Sequence, residues 1–332
     1  SNRGGAVVIF RLLDVSQSVT GHFTDSGEDE VEVSCTLEKN QFILYKGDRG
    51  RGVPLKVRHA EHSPLYIRTQ FNLIQLYLYS TVSQQQLSRA QGFLLFLSQR
   101  PAFCPIKHLS ATDAAAIPLD IQQRGVDVGV AILLQTANQR VLLTRRAKEL
   151  RIFPNVWVPP GGHVELDETL LGAGLRELHE ETGLKLEPEQ VSPTVLGLWE
   201  SVFPPMLSRG LPQRHHVVVY MLLHSSLTHL QLQPSLRPSP AEVSACLWAE
   251  SRLVRAIVSA VDGEDASVQL DDLPSSISVS QVSADRALTE SSMPLAVFTS
   301  RAPAGGPDVE RVSTGTKFAL ELWLRSLDVP DL

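Results

Sequence analysis

The sequence has 332 residues, of which 43% are hydrophobic and 20% charged, a composition that excludes wholesale disorder and supports a sizeable core. Its 30 Lys and Arg residues against 36 Asp and Glu residues give a formal net charge of −6. This balance argues against a protein held to DNA or RNA by bulk charge, although it leaves room for a local phosphate site.

The sequence predicts neither membrane insertion nor a secretory route. The most apolar stretch, residues 71–82, is shorter than the roughly 20 residues that a membrane span requires. No cleavable signal is visible, and Cys35, Cys104 and Cys246 lie too far apart for a metal-ligand motif. We therefore expect buried thiols in a reducing compartment, cytoplasmic or nuclear, with no membrane partner.

The first 120 residues carry the weakest pattern. Residues 31–37 alternate like a strand that 41–45 can pair with, so we expect this region to be β-rich. The glycines and basic residues between 46 and 52 suit either a phosphate-binding loop or a solvated turn. The apolar stretches between 65 and 97 have no interpretation.

A clearer pattern begins near residue 125. Strands are predicted over 126–134 and 139–144, followed by a loop rich in Pro and Gly and a helix over 169–182 that ends at Gly183. Further predictions are strands over 195–199 and 217–223, a Pro/Ser-rich loop over 235–240, a mobile Ser- and Asp-rich stretch over 262–292, and a helix over 312–324 capped by Ser313 or Thr314.

The most informative segment runs from Gly162 to Leu184. After Gly162 come five residues, Glu168, seven residues, and then Arg-Glu-Leu-His-Glu-Glu-Thr-Gly-Leu over 176–184. At about 100° per residue, one side of the predicted helix presents three carboxylates, those of Glu177, Glu180 and Glu181. Leucines on a neighbouring face can pack the helix on a sheet.

Clustered carboxylates repel one another and need a cation. Hard oxygen ligands favour Mg²⁺ or Mn²⁺, and Mg²⁺ keeps open positions for phosphate oxygens. Arg176 can orient a carboxylate through a bidentate pair, and Glu168 can reach the same cluster. The alternative is a solvated glutamate-rich helix, but nine specified positions at fixed spacing favour the metal site.

The segment 162–184 resembles the Nudix box, Gly-x5-Glu-x7-Arg-Glu-U-x-Glu-Glu-x-Gly-U with U aliphatic, at every specified position. Many members of the family also have a Gly immediately before the first Glu of the box, whereas this chain has Asp167 at that position. The chain is identified on this box as a member of the Nudix family, with the resemblance covering about 125–250. The family implies an α+β fold, a Nudix-type α/β/α sandwich with a mixed sheet.

The resemblance also implies a division of the chain. We expect an N-terminal region over 1–120, a Nudix hydrolase domain over 121–255 and a loop-rich insertion over 256–310. A C-terminal helix within 311–332 is expected to pack on the Nudix domain.

Site roles follow from the resemblance residue by residue. Glu177 and Glu181 are the expected primary ligands of Mg²⁺ or Mn²⁺, and Glu180 is a further ligand or the general base. Arg176 would hold the cluster in place, and Glu168 would support it or bind an additional metal. Because family members draw the base from different places, Glu242 outside the box is another candidate, or else a surface charge.

Substrate contacts are expected from Gly161, Gly162, Arg146 and Trp157, with Gly162 letting the backbone approach the metal. Nudix proteins hydrolyse a nucleoside diphosphate linked to another moiety, and water attacks a phosphorus of the diphosphate. The leading substrate is capped RNA, cut to release 7-methylguanosine diphosphate. The alternatives are CoA or acyl-CoA, another nucleotide sugar or dinucleotide, and a Nudix-fold module that binds nucleotides without catalysis.

Two signatures bear on the substrate. The Ser-Gln-Pro-Trp motif of NADH diphosphatases is absent after the box. The CoA diphosphatase signature before the box is half matched: Leu142, Leu143, Thr144, Arg146, Ala147 and Arg151 agree, whereas Asn155 and Pro159 depart.

A cap nucleobase needs aromatic or apolar walls. The aromatic candidates are Trp157, Trp199, Phe203 and Tyr220, although such residues more often belong to the core. Candidates for phosphate contacts are Arg209, Arg214, His215 and His216, where the two histidines can also be the solvent-facing start of a strand.

Overall fold

The computed structural model describes residues 11–12, 16–24, 28–38, 41–47, 55–58, 96–122, 124–263, 273–303 and 308–328. The predictions made for the basic residues and glycines after 47, for the stretch 65–95 and for residues 264–272 lie outside these ranges. Within the described part, none of the helices has the length and apolar character needed to cross a bilayer.

Fourteen strands of the described ranges form one mixed sheet. The strands are β1 (Arg11–Leu12), β2 (Glu30–Glu38), β3 (Gln41–Lys46), β4 (Leu55–Arg58), β5 (Phe96–Gln99), β6 (Asp127–Gln135), β7 (Arg140–Arg146), β8 (Trp157–Val158), β9 (Gly161–His163), β10 (Ser192–Phe203), β11 (Arg214–His224), β12 (Val243–Glu250), β13 (Ser276–Val282) and β14 (Leu288–Pro294). Their order is β1-β4-β3-β2-β5-β10-β11-β6-β7-β12-β13-β14, with β8 paired to β7 and β9 paired to β6.

The helices lie between and beside these strands. They are α1 (Val19–Phe23), α2 (Pro105–His108), α3 (Ala111–Ala116), α4 (Leu119–Gln122), α5 (Leu170–Thr182), α6 (His229–Leu232), α7 (Ser251–Ser259), α8 (Leu295–Phe298) and α9 (Thr314–Leu327). Short 3₁₀ turns occupy Pro188–Gln190, Leu207–Arg209 and Gln233–Ser235.

The central strand β6 is buried on both faces. One face joins Val130 and Ile132 to a core that includes Leu178 of α5. The other face joins Leu133 to a second core that includes Trp323 of α9. Because both faces are covered, the sequence of β6 is almost continuously apolar. β6 pairs parallel with β11, whereas most other neighbouring strands are antiparallel, so the sheet is mixed. The predicted α/β/α fold is thereby confirmed.

The N-terminal strands extend the same sheet. β2 pairs antiparallel with β3 and with β5, which confirms the β-rich expectation. β5 then runs parallel to β10, with Leu97 opposite Gly197. The region therefore continues the Nudix sheet through backbone hydrogen bonds.

The expected loop-rich insertion over 256–310 contains regular secondary structure in the part that the structure describes. β13 and β14 pair along their whole length as a hairpin at the sheet edge, and α8 follows directly. Ile277 and Val279 recur at every second position between serines, which is a strand pattern that the polar composition conceals. Val279 is buried at 2% exposure.

The C-terminal helix α9 begins where its cap predicts. The Ser313 hydroxyl accepts a hydrogen bond from the Thr316 amide at 3.0 Å, which satisfies one of the free N–H groups of the first turn. Phe318 and Trp323 of this helix are buried in the second core.

Glu200 on β10 ties the N-terminal region to the sheet. Its carboxylate is 1% exposed and receives the amides of Val19 and Thr20, both at 2.8 Å, and the Ser18 hydroxyl at 3.0 Å. His215 Nε2 lies 2.9 Å from its Oε1. Burial by itself raises the pKa of Glu200, but His215 and the backbone amides outweigh it and hold the pKa at about 2.

We expect Glu200→Gln to lower the free energy of unfolding by about 2–4 kcal/mol at pH 7. The NH₂ group of the glutamine would face the buried N–H and O–H groups that now donate to the carboxylate, so at least one donor would lose its acceptor. The depressed pKa means that the ionised carboxylate stabilises the fold fully above its ordinary value of 4.5, and that this contribution is lost as the pH falls towards 2. Urea unfolding should therefore show a difference in the free energy of unfolding between variant and wild type that becomes smaller below pH 4.5. Equal stability at pH 7 would contradict this, and exposed Glu189→Gln is the control.

Candidate active site

The box helix α5 is fixed at both ends and pressed against the sheet. The Thr169 hydroxyl caps its first turn by accepting from the Gly172 amide at 3.0 Å, and Gly183 ends it at φ +78°. At Gly174 an added Cβ would lie 2.4 Å from Cδ1 and 2.9 Å from Cγ1 of the buried Ile132, so a larger residue would displace Ile132 or push α5 away from β6. The predicted helix is confirmed, one residue shorter at its start.

Arg176 is the hub of the carboxylate cluster. Its Nε lies 2.7 Å from Glu168 Oε1 and its Nη2 3.0 Å from Glu168 Oε2, which makes the pair bidentate. Its Nη1 donates to Glu177 at 2.9 Å and to Glu180 at 3.1 Å, and Nη2 also donates to the His163 carbonyl at 2.9 Å. The bond to Glu168 in particular raises the pKa of Arg176, so its charge is permanent.

Glu168 has both carboxylate oxygens engaged. Besides Arg176, it accepts the Glu165 amide at 2.9 Å. This arrangement favours support of the cluster over binding of an additional metal.

Gly162 leaves the space that the Glu177 carboxylate fills. A Cβ at this position would lie 2.3 Å from Glu177 Oε1 and 2.4 Å from its Cδ. Burial is the main cause that raises the pKa of Glu177, with Arg176 opposing the rise. The glycine of the loop and the carboxylate of the helix are thus one fitted pair.

Glu181 is the most buried carboxylate of the cluster, at 7% exposure. Burial raises its pKa to about 8, Arg146 opposes the rise, and Glu177 and Glu242 add to it. Among the described residues, its Oε2 is buried with no hydrogen-bond partner. A buried carboxylate with a free oxygen, beside a second half-buried carboxylate, fits a divalent cation with oxygen ligands.

Two further carboxylates lie at the rim of the cluster. The Glu180 side chain is 52% exposed. Glu242 is exposed too, yet its charge raises the pKa of both Glu177 and Glu181. Glu242 is therefore a close neighbour of the cluster as well as a surface residue.

A cavity of about 270 Å³ opens beside the cluster. Gly161 and Gly162 form one edge, and Arg146 also lines it. Aromatic rings from distant parts of the chain supply the other walls: Phe103, Phe153, Trp199 and Tyr220. An apolar cavity that borders a carboxylate cluster suits a ligand with a flat base and a charged phosphate chain.

The predicted aromatic candidates divide into two groups. Trp199 and Tyr220 line the cavity, whereas Phe203 packs against Phe153 with ring centroids 5.4 Å apart. The prediction that Trp157 contacts substrate is wrong. Its ring is fully buried against Phe298, and its Nε1 donates to Glu310 at 3.2 Å.

The basic candidates also take different positions. His215 is 1% exposed and bound to Glu200, so the solvent-facing interpretation fails for it. Arg209 pairs with Asp308 at 3.5 Å. His216 lines the cavity, and burial first, then the nearby His163, lowers its pKa to about 3.

Several cavity residues carried no signal in the sequence. Phe103, flanked by Pro101 and Pro105, comes from the N-terminal region and faces the Nudix strands. Phe153 has φ +50°, an uncommon conformation for a bulky residue. Arg311, 3% exposed, reaches the cavity from just before α9. Only the folded sheet brings these segments together.

A mixed sheet between helices, with a glutamate cluster on a loop-helix-loop and a neighbouring cavity, defines a Nudix hydrolase. The chain matches the NUDIX domain over residues 124–261, and it belongs to the Nudix family. It is 56% identical to the m7GpppN-mRNA hydrolase NUDT17 of Danio rerio over 94% of this chain and 90% of the relative.

Two further relatives carry the same description. The Xenopus laevis protein is 47% identical over 95% of this chain and 91% of its own length. The Homo sapiens protein is 47% identical over 69% of this chain and 70% of its own length. For the Danio rerio and Xenopus laevis relatives, the similarity therefore extends well beyond the Nudix domain.

Proposed function

We propose that this chain is a metal-dependent mRNA-decapping hydrolase that cuts the cap of m7GpppN-RNA and releases 7-methylguanosine diphosphate. The observation that carries the proposal is the 56% identity, over 94% of the chain, to a protein described as an m7GpppN-mRNA hydrolase. The intact carboxylate cluster supports a catalytic reading.

Glu177 and Glu181 would hold Mg²⁺ or Mn²⁺, with Glu180 completing the set from the rim. Such a cation, when bound, polarises phosphate oxygens and lowers the pKa of a coordinated water. Arg176 acts as a positioning residue, because its hydrogen bonds to Glu177 and Glu180 fix where those carboxylates point. Glu180 or the neighbouring Glu242 would accept the proton of the attacking water.

The cavity suits the base of the cap. A 7-methylguanine carries a positive charge, which aromatic faces such as those of Trp199 and Phe103 attract. Gly161 and Gly162 would face the phosphate bridge, because they separate the cavity from Glu177. A contact limited to the cap and a few nucleotides agrees with the net charge of −6.

The half-matched CoA signature has a structural explanation. Leu142 and Leu143 are fully buried in β7, and Arg146 donates to the carbonyls of Ile152 and Phe153. These residues would be needed for the fold whatever the substrate. CoA therefore serves as a comparison substrate in the test below. A module that only binds nucleotides would not need the carboxylates of the box, all of which are present in this chain.

The test is a product analysis at pH 8 with Mg²⁺ or Mn²⁺, comparing m7G-capped RNA with CoA, NADH and ADP-ribose. We expect the wild type to release 7-methylguanosine diphosphate and leave a 5′-monophosphate RNA, and Glu181→Gln to release neither. Turnover of CoA without turnover of capped RNA would overturn the substrate. Cap binding without hydrolysis of any substrate would favour the non-catalytic module.

A further inference from the structure

A second group of metal-ligating side chains lies beside the cavity, outside the carboxylate cluster. Asp127 begins β6, His216 is its partner on the parallel strand β11, and His163 on β9 is the partner of Gly129. Residues two apart on a strand share a face, so strand geometry turns all three side chains to the same side of the sheet. Each offers one ligand atom, and these atoms lie within 4.8 Å of one another.

The separations suit a shared ion better than a direct hydrogen bond. His216 Nε2 lies 3.6 Å from Asp127 Oδ2, which is too long for a strong hydrogen bond. Zinc holds nitrogen and oxygen ligands at about 2.0–2.2 Å, which puts two tetrahedral donors about 3.3–3.6 Å apart. The rings of His163 and His216 are 5.4 Å apart between centroids.

The three residues differ in freedom. Asp127 is 5% exposed and also pairs with Arg214 at 3.4 Å, so its position is fixed by the fold. The His216 side chain is 17% exposed. His163 is exposed, so its ring can turn to close the remaining distance. Both histidines line the cavity, so the side of this three-residue group that is not covered by protein faces the cavity.

We propose that Asp127, His163 and His216 bind a transition-metal dication, with Zn²⁺ as the expected ion, at a site distinct from the box glutamates. Imidazole nitrogen suits Zn²⁺, whereas the all-carboxylate cluster suits Mg²⁺ or Mn²⁺. With three protein ligands, the fourth position is open to the cavity for water or an anionic oxygen of a ligand. Arg214 competes for the same carboxylate oxygen, and among the described side chains it is the only other one that forms an ion pair with Asp127.

The arrangement also joins the two sites. His163 directly follows Gly162, and its carbonyl accepts from Arg176 of the carboxylate cluster. An ion on His163 would therefore hold β9 at the point where the cavity meets the box helix.

The experiment is a Zn²⁺ titration of the full chain in excess Mg²⁺, followed by calorimetry and by the zinc content after dialysis. We expect one Zn²⁺ per chain in the wild type and also in Glu181→Gln, which removes a box carboxylate. His163→Ala should weaken Zn²⁺ binding by at least about tenfold. The exposed His224→Ala, at the other end of β11, should leave it unchanged.

His163 is the decisive position because its exposed ring can be removed without opening the core; matched thermal unfolding confirms that the variant is folded. Asp127→Asn, which keeps the shape and removes the charge, should weaken binding as well. Zn²⁺ affinity that is unaffected by His163→Ala, or lost in Glu181→Gln, would overturn the proposal, and so would no Zn²⁺ binding in the presence of Mg²⁺. None of these readouts depends on which substrate is hydrolysed.

Discussion

Replacing Glu181 by glutamine is expected to lower kcat by about 10³-fold while the chain stays folded. The carboxylate is 7% exposed, and its Oε2 has no hydrogen-bond partner among the described residues, so this oxygen is available to an ion. Losing this ligand removes several kcal/mol of charge stabilisation in the transition state, and each 1.36 kcal/mol corresponds to a tenfold change in rate. The amide fills the same volume and leaves the packing of α5 on β6 in place.

Three measurements on purified Glu181→Gln protein separate the explanations. Steady-state kinetics on capped RNA give kcat, calorimetry gives the Mg²⁺ affinity, and thermal unfolding shows whether the fold is kept. The control is Glu189→Gln, an exposed glutamate after the same helix, which should match the wild type. A variant with full turnover would show that Glu181 is a packing residue and would remove the metal role assigned to it.

The box was predictable because its residues interact locally. Arg176 contacts Glu168, Glu177 and Glu180, all within eight positions of it in the chain. Helix periodicity therefore suffices to place the carboxylates together, and the cap at Thr169 and the glycine at 183 fix the ends. The strands of the Nudix sheet follow from long apolar runs in the same way.

What sequence reasoning missed depends on contacts between distant segments. Phe103 reaches the cavity because β5 pairs with β10. The sequence around residue 103 contains no pattern that predicts this pairing. Trp157 has the residue type of a base-binding wall, but the fold turns it towards Phe298. Glu200 lies one residue past the strand predicted over 195–199, and it is buried because it accepts hydrogen bonds from the amides of Val19 and Thr20, roughly 180 positions away.

The second large effect is expected at the paired glycines of β9, where the same substitution should have two different outcomes. At Gly162, a methyl group would lie 2.3 Å from an oxygen of Glu177, the free end of a flexible side chain. The carboxylate can move aside, so we expect stability near that of the wild type. Because displacing a catalytic group by about 1 Å costs about 10²-fold in rate, kcat of Gly162→Ala should fall by that amount.

At Gly161, a methyl group would lie 2.3 Å from the carbonyl oxygen of Val130 and 2.7 Å from Cα of Ala131. Backbone atoms of the central strand cannot move aside without breaking the pairing of β9 with β6. Gly161→Ala should therefore lower the free energy of unfolding by about 3 kcal/mol, at the upper end of overpacking costs.

Parallel urea unfolding and kcat measurements on the two variants make the comparison, with the exposed helix position Gly172→Ala as the control. If Gly162→Ala lost stability and Gly161→Ala did not, the carboxylate of Glu177 would not occupy the space above Gly162. If both variants kept full activity, the loop would not determine the position of the box carboxylates. We expect Gly162→Ala to lose activity and Gly161→Ala to lose stability. Both results together require that β9 is a paired strand of the sheet and that it also lies directly against the carboxylate cluster.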